Sequence, residues 1–184
     1  MNNLKQQIKE YEVHSSTMYL APMKYGSKIF TRIVETDSEF LAPFKPLEII
    51  KRSCEYFGVD YESRKKGTRQ LIGYNRKIPI TIEPTNRLFF FPTSSPNHPD
   101  CIWFSHEHIE KFERIAPNQT FITFRNEQSF QFPVPISTIE GQMLRTSYLK
   151  TKLLQRIEGN KKLLYVTNQQ NLFKASEGAL EYIE

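Results

Sequence analysis

Five prolines fall between residues 79 and 99, at positions 79, 84, 92, 96 and 99, and they limit what the middle of this chain can become. Proline has no backbone N–H, and its ring clashes with the preceding turn of a helix. A long helix or a long central strand is therefore ruled out here. The stretch reads instead as short strands, ITI at 80–82 and LFFF at 88–91, followed by a buried strand at 101–105, CIWFS. Leu88 to Pro99, the longest uncharged run near the middle, is short and broken by prolines. A bilayer needs roughly 20 apolar residues in a row, so it cannot span one.

Around this segment the periodicities are clearer. Tyr11–Met23 and Ile29–Glu35 alternate enough to predict strands joined near Lys24, Tyr25 and Gly26. Residues 120–134 predict a hairpin. Ile122, Phe124, Phe130, Phe132 and Val134 share one face if the loop is Asn126-Glu127-Gln128. Pro46–Phe57 predicts a helix with Pro46 in its first turn, Leu47, Ile50, Cys54 and Phe57 as its apolar stripe, and Gly58 as its stop. Ser137–Glu158 predicts a second helix. Ser137 and Glu140 would form a capping box, Ile139, Met143, Leu153 and Ile157 would face the core, and Gly159 would end it. The tail, 160–184, reads as a weakly docked helix or a mobile segment. The expected class is α+β, with a mainly antiparallel sheet, two principal helices and a C-terminal appendage.

The chain has 184 residues, of which 39% are hydrophobic and 13% aromatic. That suits one folded domain with a real core. Two cysteines, Cys54 and Cys101, are too few for a disulfide scaffold. The opening residues show no apolar targeting segment. These features predict a cytoplasmic protein with reduced thiols and no membrane partner.

The histidines raise a separate question. Three of the four lie in HPDCIWFSHEHI, residues 98–109. His98, Cys101, His106 and His108 are all possible zinc ligands, and His106 and His108 on a strand would point the same way. The spacing matches no closed zinc pattern, and no second Cys/His pair follows. Cys101 as a nucleophile would need an accessible, electropositive pocket. Beside Trp103 it reads as a small core residue. No metal and no cofactor is predicted, and histidines at a strand end are the plainer reading. A zinc- or thiol-dependent enzyme stays as an alternative.

Charge says more. Net charge is +5, but residues 45–77 alone carry +5 and residues 136–162 carry +4, leaving −4 for the rest. Segregated positive charge marks a surface for a polyanion. Arg64, Lys65, Lys66 and Arg69 cluster around Gly67, at the end of a short helix or in a loop where the backbone can approach a partner closely. An arginine on a thin loop fits the narrow minor groove of an A-tract. Arg145, Lys152 and Arg156 recur at i, i+7 and i+11, within about 40° of arc on a helix, a ridge suited to phosphates. Arg76, Lys77 and Arg125 are further candidates. A solvated basic surface, or a module that binds RNA or protein without preference for A/T boxes, is the alternative.

Four blocks carry a resemblance: KPLEIIKRSCEYFGVDYESRKKGTR (45–69), KIPITIEPTNRLFFFPTSS (77–95), CIWFSHEHIEKF (101–112) and LRTSYLKTKLLQRI (144–157). Together they resemble the ComK family of competence transcription factors, over roughly residues 10–158. The resemblance implies an activator, not an enzyme, of the genes for DNA uptake and of its own gene. It implies binding to paired A-rich and T-rich boxes of double-stranded DNA, chiefly through the minor groove, with bending of the duplex. It further implies dimers and pairs of dimers, contact with RNA polymerase, and turnover through a MecA-type adaptor and a Clp protease. On this reading residues 1–158 form the DNA-binding domain, and 159–184 a tail for assembly or adaptor recognition. Leu163, Leu164 and Tyr165 match the apolar-aromatic character of the family's adaptor-binding segment, while the Pro-Lys that follows there is absent here. The resemblance implies neither zinc nor catalysis for the histidine cluster. The DNA-contact residues named above come from charge and spacing alone.

Overall fold

A computed structural model describes the backbone of residues 6–180 and the side-chain surroundings of residues 6–159. The chain divides into two compact units, residues 1–150 and 151–184. The first is α+β and contains every strand among the described residues.

Its order is β1 (Gln6–Gln7), β2 (Thr17–Tyr25), β3 (Lys28–Glu35), β4 (Glu39–Ala42), α1 (Pro46–Tyr56), α2 (Tyr61–Ile72), β5 (Ile80–Glu83), β6 (Leu88–Pro92) and β7 (Trp103–Ser105). A 3-10 turn at His106–His108 leads to β8 (Ile109–Ala116), β9 (Gln119–Phe124), β10 (Ser129–Phe132) and α3 (Ile136–Leu180). A seven-stranded sheet runs β1-β4-β3-β2-β7-β6-β5, and a three-stranded sheet runs β10-β9-β8. All neighbours are antiparallel except β1 with β4.

The large sheet is buried on both faces, which is why LFFF is a continuous apolar run. Successive residues enter different cores. Leu20, Ile33, Phe90 and Trp103 join α1 and α2 (Ile49, Ile50, Cys54 and Tyr61) on one side. Their sequence neighbours Tyr19, Val34, Phe91 and Phe104 join the small sheet (Ile122, Phe124, Phe132) and Ile139 of α3 on the other. Burying one such aromatic side chain stabilises the fold by roughly 1.5–3 kcal/mol.

The structure departs from expectation at several places. Residues 64–69 lie within α2, a short third helix, with Arg69 in its last turn, and not in a loop. Asp60 caps its start by accepting from the Ser63 N–H at 2.8 Å, and Gly73 closes it in the left-handed conformation. The second expected helix starts at Ile136, so Ser137 falls inside the first turn, and it runs through Gly159 to Leu180. One interior glycine costs a helix only about 1 kcal/mol, and no proline follows it. The hairpin pairs Thr123 with Ser129, and Phe124 N–H reaches the Gln128 carbonyl at 2.8 Å. The loop is therefore residues 125–127, one position earlier than expected, with Glu127 at φ 68°. His106 and His108 sit on the 3-10 turn, not on a strand.

Candidate nucleic-acid interface

The α2 helix presents its residues in three directions. Tyr61, Thr68 and Ile72 face the core. Arg64, one turn from Tyr61, shares that side: its Nη2 approaches the Ile82 carbonyl at 3.5 Å, and its Nε is buried. Lys65 and Arg69 lie on the flank, and Lys66 is exposed. Of the four cations in this run, one is thus turned against the sheet.

Lys65 and Arg69 border a cleft of about 550 Å³ between α1, α2, the segment 75–78 and residues 95–97. Lys51 of α1 and Arg76 and Lys77 also line it, so five cations share the cleft with one acid, Glu62. Glu62 pairs with Lys65 at 3.0 Å. Lys51 and Lys65 each sit 5.7 Å from the Tyr61 ring centre. Clustered like charges beside low-dielectric walls focus a positive potential into a concave space.

The first turns of α3 extend the cleft. Arg145 stacks 4.3 Å above the Tyr74 ring and donates from Nη1 to the Arg76 carbonyl at 3.2 Å. A smaller cavity of about 130 Å³ is lined by Lys77, Arg145, Ser137, Thr138, Gly141 and Gln142. Lys77 borders both spaces, so the cationic surface is continuous from Lys51 to Arg145.

Residues 8–158 match the family model described as ComK protein. The chain belongs to the ComK family. It is 37% identical over 151 residues to a relative named competence transcription factor from Bacillus subtilis (strain 168), covering 82% of this chain and 79% of that protein. No solved structure matches. The ComK match spans the whole cleft and stops short of residues 163–165.

Other expected contact residues are placed elsewhere. Arg125, on the β9–β10 loop, lies 3.8 Å from Glu110 Oε2. Lys152 and Arg156 fall in the second unit, on the continuation of α3. Leu163, Leu164 and Tyr165 lie outside the residues whose side chains are described. No helix among the described residues is long and apolar enough to cross a membrane.

The histidine cluster is spread over separate protein partners. His106 Nε2 lies 2.8 Å from Ser147 Oγ, and His108 Nε2 is 2.7 Å from the Ser15 carbonyl. His98 stands beside Asp100 at 3.9 Å. Burial lowers the affinity of His106 and His108 for a proton. Burial also pushes the Cys54 thiol up to about 11, and it raises Cys101 too. Both thiols are held protonated, the opposite of what nucleophilic chemistry needs.

Two residues escaped the sequence reading. Lys51 lies four positions after Leu47, on the edge of the α1 stripe, a spacing that puts it beside whatever Leu47 lines. Arg87 is exposed at the tip of the β5–β6 hairpin, in the left-handed conformation at φ 57°. The signal for it was PTNR between ITIE and LFFF, a turn between two apolar strands. The tip is held by Glu83, whose carboxylate accepts the Thr85 N–H at 3.0 Å and the Asn86 N–H. Although burial opposes it, these bonds keep Glu83 ionised below the usual carboxylate range.

Proposed function

We propose that this chain is a DNA-binding regulator of competence transcription that acts in the cytoplasm on paired A-rich and T-rich boxes. The observation that carries the reading is the convergence of Lys51, Lys65, Arg69, Arg76 and Lys77 on one cleft, continued by Arg145. Each such cation can neutralise a phosphate and release its counterion. The naming of a 37% identical relative as a competence transcription factor supports the same direction.

Widths decide how the groove is read. An α-helix with side chains is about 10–12 Å across, whereas the minor groove is about 6 Å wide. The α2 helix therefore stays outside it, and its cations hold phosphates. Arg87 stands on a hairpin tip, so its side chain alone has to enter a narrow groove. The β5 strand that carries this hairpin lies against α2 through Arg64 and Ile82. In this reading Arg87 supplies A/T preference, and the cleft supplies affinity. Paired boxes call for two copies acting together, and activation calls for contact with RNA polymerase. Recognition by an adaptor and a Clp protease would rest on residues 163–165.

The test is fluorescence anisotropy with a duplex carrying two A/T boxes and with its GC-substituted counterpart, over a salt series and with a minor-groove drug as competitor. Box-dependent binding that the drug displaces is the expected result. Weak binding, equal on both duplexes and lost with salt, would reduce the chain to a basic protein without this function.

A further inference from the structure

The strand at the edge of the small sheet carries a charge pattern that complements itself. Residues 109–115 read IEKFERI. About Phe112 the order of charges inverts: Glu110 mirrors Arg114, and Lys111 mirrors Glu113. The β8 strand pairs with β9 on one edge, and no described strand covers the other. Glu110, Lys111, Glu113 and Arg114 are exposed, while Phe112 is half-buried against the second core. An edge strand offers a row of unpaired N–H and C=O groups that another strand can take up.

We infer that two copies of this chain associate through β8, antiparallel, with Phe112 opposite Phe112 on a two-fold axis. The inference gives a surface to the paired action of two copies proposed above, and it rests on that reading. In this register Lys111 faces Glu113 of the second copy, Glu110 faces its Arg114, and each contact occurs twice. Cross-strand pairs of opposite charge favour a register, and like charges oppose it.

Neighbouring registers fail. Centring the pair on Lys111 or on Glu113 sets that charge against itself. Centring it between residues 112 and 113 opposes Lys111 to Arg114, and between 111 and 112 opposes Glu110 to Glu113. Parallel pairing in register opposes every charge to its like. Pairing centred on Phe112 satisfies all four charges. The ladder between β8 and β9 is regular from Lys111 to Arg114, with irregularities on either side at 109/111 and 114/116. Bulges of this kind terminate pairing. The contact is therefore short, and because each copy uses the same edge it closes at two.

The experiment measures the association of the full chain without DNA by sedimentation equilibrium. The wild type is expected to dimerise. Lys111→Glu and Glu113→Lys each turn two attractive contacts into repulsive ones, and each should weaken the dimer about tenfold or more. Lys111 and Glu113 also sit 3.8 Å apart within one chain, and either substitution disturbs that pair. Mixing the two variants removes the ambiguity. In the mixed pair one copy carries glutamate at both positions 111 and 113, and the other carries lysine at both. Each contact between these positions across the interface is then attractive again, while both intrachain pairs stay disrupted. Equimolar mixing should restore dimers of wild-type strength, and these must be heterodimers by native mass spectrometry. A monomeric wild type, unchanged dimers in either variant, or no heterodimer on mixing would each overturn the surface. Anisotropy of the variants on a single-box duplex reads the DNA site separately. Wild-type affinity there leaves the DNA reading standing whichever way the dimer falls.

Discussion

Gln142 of α3 donates a hydrogen bond from Nε2 to the Lys77 carbonyl at 2.9 Å, across 65 positions of sequence. The same nitrogen reaches the Pro92 carbonyl at 2.6 Å. Lys77 is held at φ 49°, a conformation that a side chain other than glycine rarely adopts. Gln142 thus ties the rim of the cationic cleft to the start of α3 and to the large sheet.

Replacing Gln142 with Leu should leave two carbonyls without a donor, at roughly 1–3 kcal/mol each. We expect a loss of about 3 kcal/mol in urea unfolding, with weaker DNA binding as the rim is released. A loss below about 0.5 kcal/mol would mean that these bonds do not anchor the rim.

Gly67 lies in the middle of α2, and a Cβ there would meet nothing within 4 Å. Gly67→Ala should raise stability by about 0.5–1 kcal/mol, because alanine loses less backbone freedom on folding. Thermal unfolding and anisotropy on the same variant separate two roles. Unchanged DNA affinity fits a glycine that is incidental to a helix. Falling affinity would mean that the backbone at Gly67 closely approaches the duplex.

Arg87 and the cleft cations should fail differently. Arg87→Ala should narrow the gap between A/T-box and GC duplexes by about 1–3 kcal/mol. Arg69→Ala or Arg76→Ala should weaken both duplexes alike and reduce the salt slope by about 1 each. Salt-series anisotropy distinguishes the two patterns. If Arg87→Ala weakened both duplexes equally, Arg87 would be one more phosphate contact.

His106 and His108 give stability a dependence on pH. Burial lowers the pKa of both below the ordinary 6.5, helped by Lys150 at His106 and by Arg125 at His108, with Glu107 opposing at each. The unfolded chain therefore takes up protons first as the pH falls. The stability contributed by the two neutral rings is complete above about pH 6.5 and is lost as the pH drops from there through their folded values. Urea unfolding between pH 7.5 and 5 should show this decline, and a His106→Gln, His108→Gln variant should flatten it. An unflattened slope would assign the pH dependence to other groups.

The sequence was most legible where one face of an element is wet. The hairpin at 120–134 and the stripe of α1 emerged because alternation and helical spacing each need a polar side to show against. β6 was legible for a different reason, since a strand buried on both faces is continuously apolar and prolines bound it. The α2 helix was obscured by Gly67 and by a run of cations that carry no apolar period. The cleft was half legible. Lys65, Arg69, Arg76 and Lys77 were read from charge, but charge could not say that Arg64 turns inward or that Lys51, on another helix, meets them. The end of α3 was misread because Gly159 resembles a stop. A single glycine yields to good helix formers on both sides.

The chain has a single tryptophan, and Trp103 is completely enclosed by the core that α1 and α2 share with the large sheet. It therefore serves as a built-in optical probe of that layer. Its emission should be blue-shifted and shielded from a soluble quencher in the native state, and it should move to the red when the helices separate from the sheet. Because Trp103 does not line the cleft, a titration with DNA that leaves the fold intact should hardly change the signal. A large change would report that binding opens the layer between the helices and the strands.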